Sequence, residues 1–144
     1  MRYSCRFERE CAAPPHVVYS LLADVERWPQ WLHSVRSAGW EPAEPAGGPG
    51  AVRRVEVGGL TMRERVVVAD PPHHHAYTIV SGLPVTNHRA DVRLTSGAGG
   101  TSIVWTATFE PRIPFTGPLV WLALRATMPT MVTALARGAD AQPA

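Results

Sequence analysis

The 144-residue chain contains no lysine, because all fourteen basic side chains are arginines. Without a lysine amine, Schiff-base catalysis is excluded, and pyridoxal chemistry with it. A formal net charge of +2 is too small to indicate a nucleic-acid-binding protein. The sequence also lacks a G-x-S-x-G elbow, a G-x-G-x-x-G motif and a P-loop. We therefore expect neither serine hydrolase chemistry nor a cofactor.

Cysteines and long apolar runs are also scarce. The two cysteines, Cys5 and Cys11, lie close together in or beside one strand, where a disulfide is not expected, and this favours a reducing cytoplasm. Charged residues interrupt the N-terminus, which argues against a signal peptide. No apolar run approaches the roughly 18 residues of a membrane span. The length predicts that residues 1–144 form one domain, large enough for a core and a cavity.

The first fifty residues show three kinds of pattern. Apolar and charged residues alternate over Tyr3–Phe7, which predicts a strand. Helical spacing behind Pro14 predicts a short helix, and Pro29 suits the first turn of a second one. A strand is predicted near Val35–Trp40. The segment 41–50, with three prolines and three glycines, is predicted to be a loop.

The remaining chain predicts an antiparallel meander followed by a long helix. Turn chemistry separates four or five strands. The turns are predicted at Gly58-Gly59, 70–72, 82–84 and 96–100. From about Phe115 to Arg137 the pattern is helical, with a kink expected at Pro129. The apolar stripe of this helix is predicted to consist of Leu119, Leu122, Ala126, Met131 and Leu135.

The predicted order of one strand, two short helices, further strands and a long helix resembles that of the SRPBCC superfamily. This superfamily includes polyketide cyclases, START lipid-transfer domains and pollen-allergen-like proteins. The resemblance rests on ADVERWPQWLHSV, the segment from Glu64 to Pro72, YTIVSGLP and GTSIVWTATFEP. It implies an α+β helix-grip fold, in which a curved antiparallel sheet of six to seven strands wraps a long C-terminal helix. Two short helices follow the first strand and close a pocket between sheet and helix. The fold hosts many functions, so the resemblance says little about substrate.

Two polar residues are predicted to face this pocket. Alternation places Glu64 on the drier face of its strand, together with Met62 and Val66. If Pro71-Pro72 is the centre of one turn, Glu64 lies opposite Ile79. If Leu83-Pro84 is the centre of the next turn, Ile79 lies opposite His88. The acid and the imidazole would then stand about 10 Å apart and bracket a ligand oxygen or a water. The alternatives are an arginine-paired carboxylate and a structural histidine, and a one-residue slip would remove the row.

Further side chains are candidates for ligand contact. Tyr77 shares a face with Ile79 and offers a ring with a hydroxyl, although a simple core role is the alternative. Arg53 is in phase with the inward residues of its strand, but a solvated place at the rim is favoured because burying a guanidinium is costly. The predicted ligand-binding set is Trp28, Arg53, Met62, Val66, Tyr77, Ile79 and Trp105.

The tryptophans and histidines carry weaker predictions. Trp105 is expected to face the long helix, as core more than as ligand platform. One of Trp28 and Trp31 should anchor the short helices, while the other lines the pocket mouth. The run His73–His75 does not predict a metal site, since only alternate residues share a face and no acidic or cysteine partner lies at ligand spacing.

The leading interpretation is a protein that binds a hydrophobic small molecule, polyketide-like or lipid-like, between sheet and helix. The alternative is a cyclase or aromatase in which Glu64 or His88 is the base and Arg53 and Tyr77 contact a carbonyl. A carrier protein that delivers the ligand is a possible partner. The superfamily also includes chaperone cofactors and quinone-binding proteins. The loop 81–87 is a candidate lid over the pocket.

Overall fold

The computed structural model describes residues 1–41 and 47–143. It has the predicted helix-grip arrangement of a seven-stranded sheet, two short helices after the first strand and one long helix. The strands are β1 (Tyr3–Cys11), β2 (Val35–Trp40), β3 (Val52–Val57), β4 (Leu60–Asp70), β5 (His74–Ser81), β6 (Val85–Gly97) and β7 (Gly100–Pro111). The helices are α1 (Pro15–Ala23), α2 (Trp28–Trp31), which a short 3-10 turn precedes, and α3 (Gly117–Asp140). Part of the predicted loop 41–50, namely 42–46, lies outside the described residues.

The sheet is a single antiparallel meander with its first strand carried to the far edge. Its strand order is β1-β7-β6-β5-β4-β3-β2. Each of the connections from β2 to β7 joins neighbouring strands, and each of the four predicted turns contains one connection, although 70–72 and 96–100 also include strand residues. Because β1 and β2 form opposite edges, α1 and α2 must connect one edge of the sheet to the other.

Alternation along β6 and β7 defines the buried face of the sheet. On β7, Ile103, Trp105, Ala107 and Phe109 are each at most 2% exposed, as their spacing predicts. Helix α3 packs mainly against β1, with further contacts to α1 and β7. The helix therefore covers one side of the concave face.

The predicted apolar stripe of α3 is largely wrong. Leu119 and Leu122 are 69% and 57% exposed, and of the predicted set only Leu135 is fully buried. Gly117 packs against the Tyr3 ring so closely that a Cβ there would collide with it. This contact fixes the rotation of the helix and turns the two leucines outward. Buried residues of α3 are Gly117, Val120, Met128, Val132, Leu135, Ala136 and Ala139.

Helix α3 meets a membrane-span criterion of length and average hydropathy, although it contains no uninterrupted apolar run of that length. Within the described residues it is the one helix that is long and apolar enough to cross a membrane, with a mean hydropathy of 1.4 over an 18-residue stretch. Arg125 and Pro129 interrupt its apolar stretch. The helix packs mainly against β1, and 28% of its most apolar stretch is buried.

The long helix continues through Pro129. The ring removes the amide that would bond to the carbonyl of Arg125. Two threonines flank the site and bond back to the helix, with the Thr127 hydroxyl donating to Ala123 O at 2.9 Å and that of Thr130 donating to Thr127 O at 2.6 Å. Such bonds accompany bent helices, and the bend near Pro129 stays a prediction.

Candidate functional site

A buried ion pair lies on the inner face of the sheet, between β3 and β4. The Nε of Arg53 donates to Oε1 of Glu64 at 2.8 Å, with the arginine side chain 0% exposed and the glutamate side chain 10% exposed. The two residues are cross-strand partners on β3 and β4. The expected rim position of Arg53 is therefore wrong, and the alternative of an arginine-paired carboxylate is what the structure has.

Two aromatic rings replace part of the water that Arg53 loses. Its guanidinium carbon lies 4.5 Å from the ring centroid of Trp28 and 4.6 Å from that of Tyr77. Trp28 is itself fixed, because its Nε1 donates to Leu22 O at 3.0 Å. Guanidinium groups are weakly hydrated and stack well on aromatic faces. The rings and the carboxylate together explain how an arginine can be buried here.

His75 joins the ion pair from β5. Its Nε2 lies 3.0 Å from Nη1 of Arg53. Because a guanidinium only donates, Nε2 must accept, and the proton of the imidazole lies on Nδ1. Burial, reinforced by the positive charge of Arg53, lowers the pKa of His75 to about 3. The imidazole is therefore neutral at pH 7.

The predicted pairing of Glu64 with Ile79 is confirmed, although for an unexpected reason. The connecting turn has three residues, 71–73, where the sequence suggested a two-residue centre. That difference alone would shift the strands by one position. An irregularity between Val66 and Val68 restores the register.

His88 also lies where the hairpin count placed it. The Ile79 N–H donates to Nδ1 of His88 at 3.1 Å, and the Tyr77 ring lies 5.9 Å from the imidazole. Burial lowers the pKa of His88 to about 4, so the ring is neutral with its proton on Nε2. The accepting nitrogen is occupied by a backbone amide, which favours a structural histidine.

The other side chains predicted to contact a ligand differ in how deeply they are buried. The buried ones are Trp28, Val66, Tyr77 and Trp105. Met62 and Ile79 are half-buried, and they pack on two separate apolar clusters of the interior. Leu124 of α3 is half-buried and packs on both clusters. These three half-buried side chains therefore leave some apolar surface accessible beside the two clusters.

Arg53, Glu64, His75 and Tyr77 form a buried polar cluster, whose polar atoms are incompletely paired. Within the described residues, Nη2 of Arg53 and Nδ1 of His75 are buried without a hydrogen-bond partner. Burial raises the pKa of Tyr77, so its hydroxyl keeps its proton. Buried donors are rarely left unpaired in folded proteins. The cluster can thus donate to an oxygen atom of a ligand or a water.

Sequence reasoning missed His75, and it left open which of Trp28 and Trp31 anchors the short helices. His75 lies two residues before Tyr77 on β5, so alternation along the strand places both side chains on the same face. The histidine run alone suggests only a metal site, which is why His75 is absent from the predicted ligand-binding set. His74 points elsewhere, and its Nε2 lies 2.6 Å from Oδ2 of Asp91. Trp28 is the anchor within the core, whereas Trp31 lines a cavity of about 690 Å³ beside α3.

The sequence matches one protein family and is similar to a mycobacterial protein. Residues 4–141 match the family described as polyketide cyclase / dehydrase and lipid transport. An uncharacterized protein of Mycobacterium tuberculosis is 29% identical over 132 residues, which cover 85% of this chain and 78% of the relative. The chain belongs to the polyketide cyclase / dehydrase and lipid transport family, within the SRPBCC superfamily.

Two solved structures share the fold at low identity. The ZhuI aromatase/cyclase from Streptomyces sp. R1128 superposes with a TM-score of 0.83, at 18% identity over 97% of this chain and 94% of that chain. The di-domain aromatase/cyclase BexL, from the BE-7585A biosynthetic pathway, gives a TM-score of 0.81 at 19% identity, covering 99% of this chain and 51% of that chain. These similarities establish the architecture alone.

Proposed function

We propose that the protein binds a hydrophobic small molecule, polyketide-like or lipid-like, between the sheet and α3, as one domain working in the cytoplasm. The observation that carries the proposal is the buried Nη2 of Arg53, which has no hydrogen-bond partner among the described residues, in an interior that also holds half-buried apolar side chains. The half-buried side chains of Met62, Ile79 and Leu124 would contact the apolar part of the ligand.

The charge balance of the cluster indicates which ligand oxygen it suits. Glu64 already compensates the charge of Arg53, so the remaining N–H group does not require an anion. A carbonyl or hydroxyl oxygen would satisfy this donor, whose burial without a partner is costly. The apolar part of the ligand would contribute about 25 cal/mol for each Å² removed from water. We therefore expect a neutral, oxygen-bearing, largely apolar ligand.

The relatives support the same chemical class. The family description names polyketide cyclases, dehydrases and lipid transport, and two proteins of the same fold are named as aromatase/cyclases. Polyketides and lipids are both largely apolar molecules with carbonyl or hydroxyl oxygens. A carrier protein that presents such a molecule belongs to the proposal as a possible partner.

A neutral fluorescent ketone, 6-propionyl-2-(dimethylamino)naphthalene, tests the proposal. It should bind saturably at one site, with emission shifted to the blue by the apolar surroundings. The indole signal of Trp105 in ¹H–¹⁵N spectra should move in the same titration, since Trp105 lies in the buried cluster. Native mass spectrometry of freshly purified protein provides a second test through copurified ligand. Failure of both would count against the proposal.

A second candidate function is cyclisation of a poly-β-ketone. The observation that favours it is Glu64, whose carboxylate remains 10% exposed beside the guanidinium of Arg53. The carboxylate would remove a proton α to a carbonyl that Arg53 polarises. His88 is a poorer base, since its Nδ1 accepts the Ile79 amide.

Heptane-2,6-dione offers a simple test of the second function, because its aldol closure with loss of water gives a methylcyclohexenone. A cyclase should accelerate this reaction, and Glu64→Gln should lower turnover by about 10²–10⁴-fold while binding is nearly retained. A rate no higher than that of buffer would favour binding alone.

A further inference from the structure

A separate groove runs along the flank of α3, outside the buried cluster. It has a volume of about 690 Å³ and lies between α1, the region of α2 and the C-terminal half of α3. Small-molecule sites commonly have volumes of roughly 300–1,000 Å³. None of the residues that surround Arg53 lines this groove.

The groove is basic, and none of the described residues that line it is acidic. Arg27 and Arg137 both line it. Nη2 of Arg27 donates to the side-chain oxygen of Gln142 at 3.0 Å, which leaves its charge uncompensated. Arg137 is exposed and forms no ion pair within the described residues. The carboxylate of Asp140 does not line the groove, and its Oδ1 accepts a hydrogen bond from the Ala13 N–H at 2.8 Å.

The floor of the groove is apolar and closely packed. Trp31 and Ala134 line it, together with Leu21. At Gly138 a Cβ would lie 2.8 Å from the Cβ of Trp31 and 3.0 Å from Cδ2 of Leu21, so the glycine lets α3 approach α1 and α2. The side-chain Nε2 of Gln142 donates to Gly138 O at 3.1 Å, and this hydrogen bond positions Gln142 at one end of the groove.

We propose that this groove is a second binding site, for a small amphiphile with one carboxylate or phosphate head group. The head group would lie between Arg27 and Arg137, since guanidinium groups bind both kinds of anion with two parallel hydrogen bonds. The apolar part would cover Trp31 and Ala134. This site is independent of the neutral-ligand site proposed above, because the two differ in charge and share no lining residue.

Titration with octanoate and with octyl phosphate, followed by ¹H–¹⁵N spectra, tests the assignment. Both probes should move the indole signal of Trp31 and the side-chain amide signals of Gln30 and Gln142, while that of Trp105 stays fixed. The tighter of the two identifies the head group as carboxylate or phosphate. Octan-1-ol should bind at least tenfold more weakly, since it lacks the charge. Equal binding of octan-1-ol, or movement of Trp105 in place of Trp31, would overturn the proposal.

Matched variants complete the test. Arg137→Gln and Arg27→Gln should each weaken binding of the tighter probe by about tenfold or more. Arg36→Gln makes the same change in net charge at an exposed position of β2 and should stay within about twofold of the unaltered protein. Binding unchanged by both groove variants would overturn the proposal. Met62→Trp, which lies in the interior site, should leave octanoate binding unaltered.

Discussion

Arg53 and Glu64 face each other across one paired position of β3 and β4, with Nε and Oε1 2.8 Å apart and the guanidinium withdrawn from water. A buried ion pair contributes little net stability compared with apolar residues of the same size, because both charges lose their hydration. We therefore interpret this pair by the chemistry that it offers on the concave face of the sheet.

Loss of Arg53 alone should be severe. Arg53→Met leaves the carboxylate of Glu64 buried without its partner, and this should lower the free energy of unfolding by roughly 3–5 kcal/mol. Urea denaturation measures the change. Arg54→Met is the matched control, since Arg54 is exposed on the next position of β3, and it should change stability by less than about 0.5 kcal/mol.

The double variant Arg53→Met/Glu64→Leu separates the two contributions. Removing both charges together should recover most of the loss, because no unpaired ion remains. A double variant that is as unstable as Arg53→Met would show that packing of the long side chain, and not the ion pair, dominates.

The buried imidazoles should make stability depend on pH. The folded pKa values of His75 and His88 are lowered from 6.5 to about 3 and about 4. Below pH 6.5 the unfolded chain therefore binds protons that the folded chain does not. Stability is retained above about pH 6.5 and falls toward pH 4, by about 1.4 kcal/mol per pH unit for each histidine well below 6.5.

A single substitution should halve that dependence. His88→Asn keeps a side-chain acceptor for the Ile79 amide and removes the titrating ring. Urea denaturation between pH 7.5 and pH 5 should then show about half the slope of the unaltered protein. His33→Asn alters an exposed histidine and should leave the slope unchanged. Equal slopes for all three proteins would contradict the prediction.

The loop between β5 and β6 should respond to ligand. Gly82 has φ +113, and a Cβ there would lie 2.7 Å from Thr61 O and 2.9 Å from the Cα of Met62. The loop therefore rests on β4 at the edge of the proposed site. If residues 81–87 form a lid, the fluorescent ketone should slow hydrogen exchange there. Equal exchange with and without the ketone would leave a rigid hairpin connection.

Seating of α3 on the sheet should depend on Gly117. A methyl group at this position collides with the Tyr3 ring, which stacks on Phe109 at 5.3 Å. Gly117→Ala should lower stability by roughly 1–3 kcal/mol through overpacking. Gly97→Ala, with no atom near the added Cβ, is the control and should have a small effect. A thermal unfolding series distinguishes the two.

The sheet could be predicted because its information is local. Turn residues and two-residue alternation define the strands, and Gly58-Gly59 as a two-residue turn already sets Arg53 opposite Glu64. The cost of burying an arginine nevertheless favours a position for Arg53 at the rim. The compensation comes from Trp28, which is distant in sequence, so strand patterns alone could not reveal it.

The face of α3 could not be predicted because its first turns, Leu119–Leu124, are apolar on every side of the helix. Hydropathy then favours large leucines for the core, whereas the helix turns the small Gly117 and Ala139 inward to approach its neighbours. The basic groove was missed for a related reason. It forms between α2 and α3, and Arg27 and Arg137 come together only through the packing of these helices.

The most direct test is a titration of the neutral fluorescent ketone against a variant that fills the proposed site. Met62→Trp adds bulk on the concave face, whereas Thr61→Trp adds the same ring at an exposed position. The unaltered protein and Thr61→Trp should bind the ketone saturably with similar affinity, and Met62→Trp should bind it at least tenfold more weakly. Equal affinity in all three proteins, or no saturable binding to the unaltered protein, would contradict an interior site for a hydrophobic ligand.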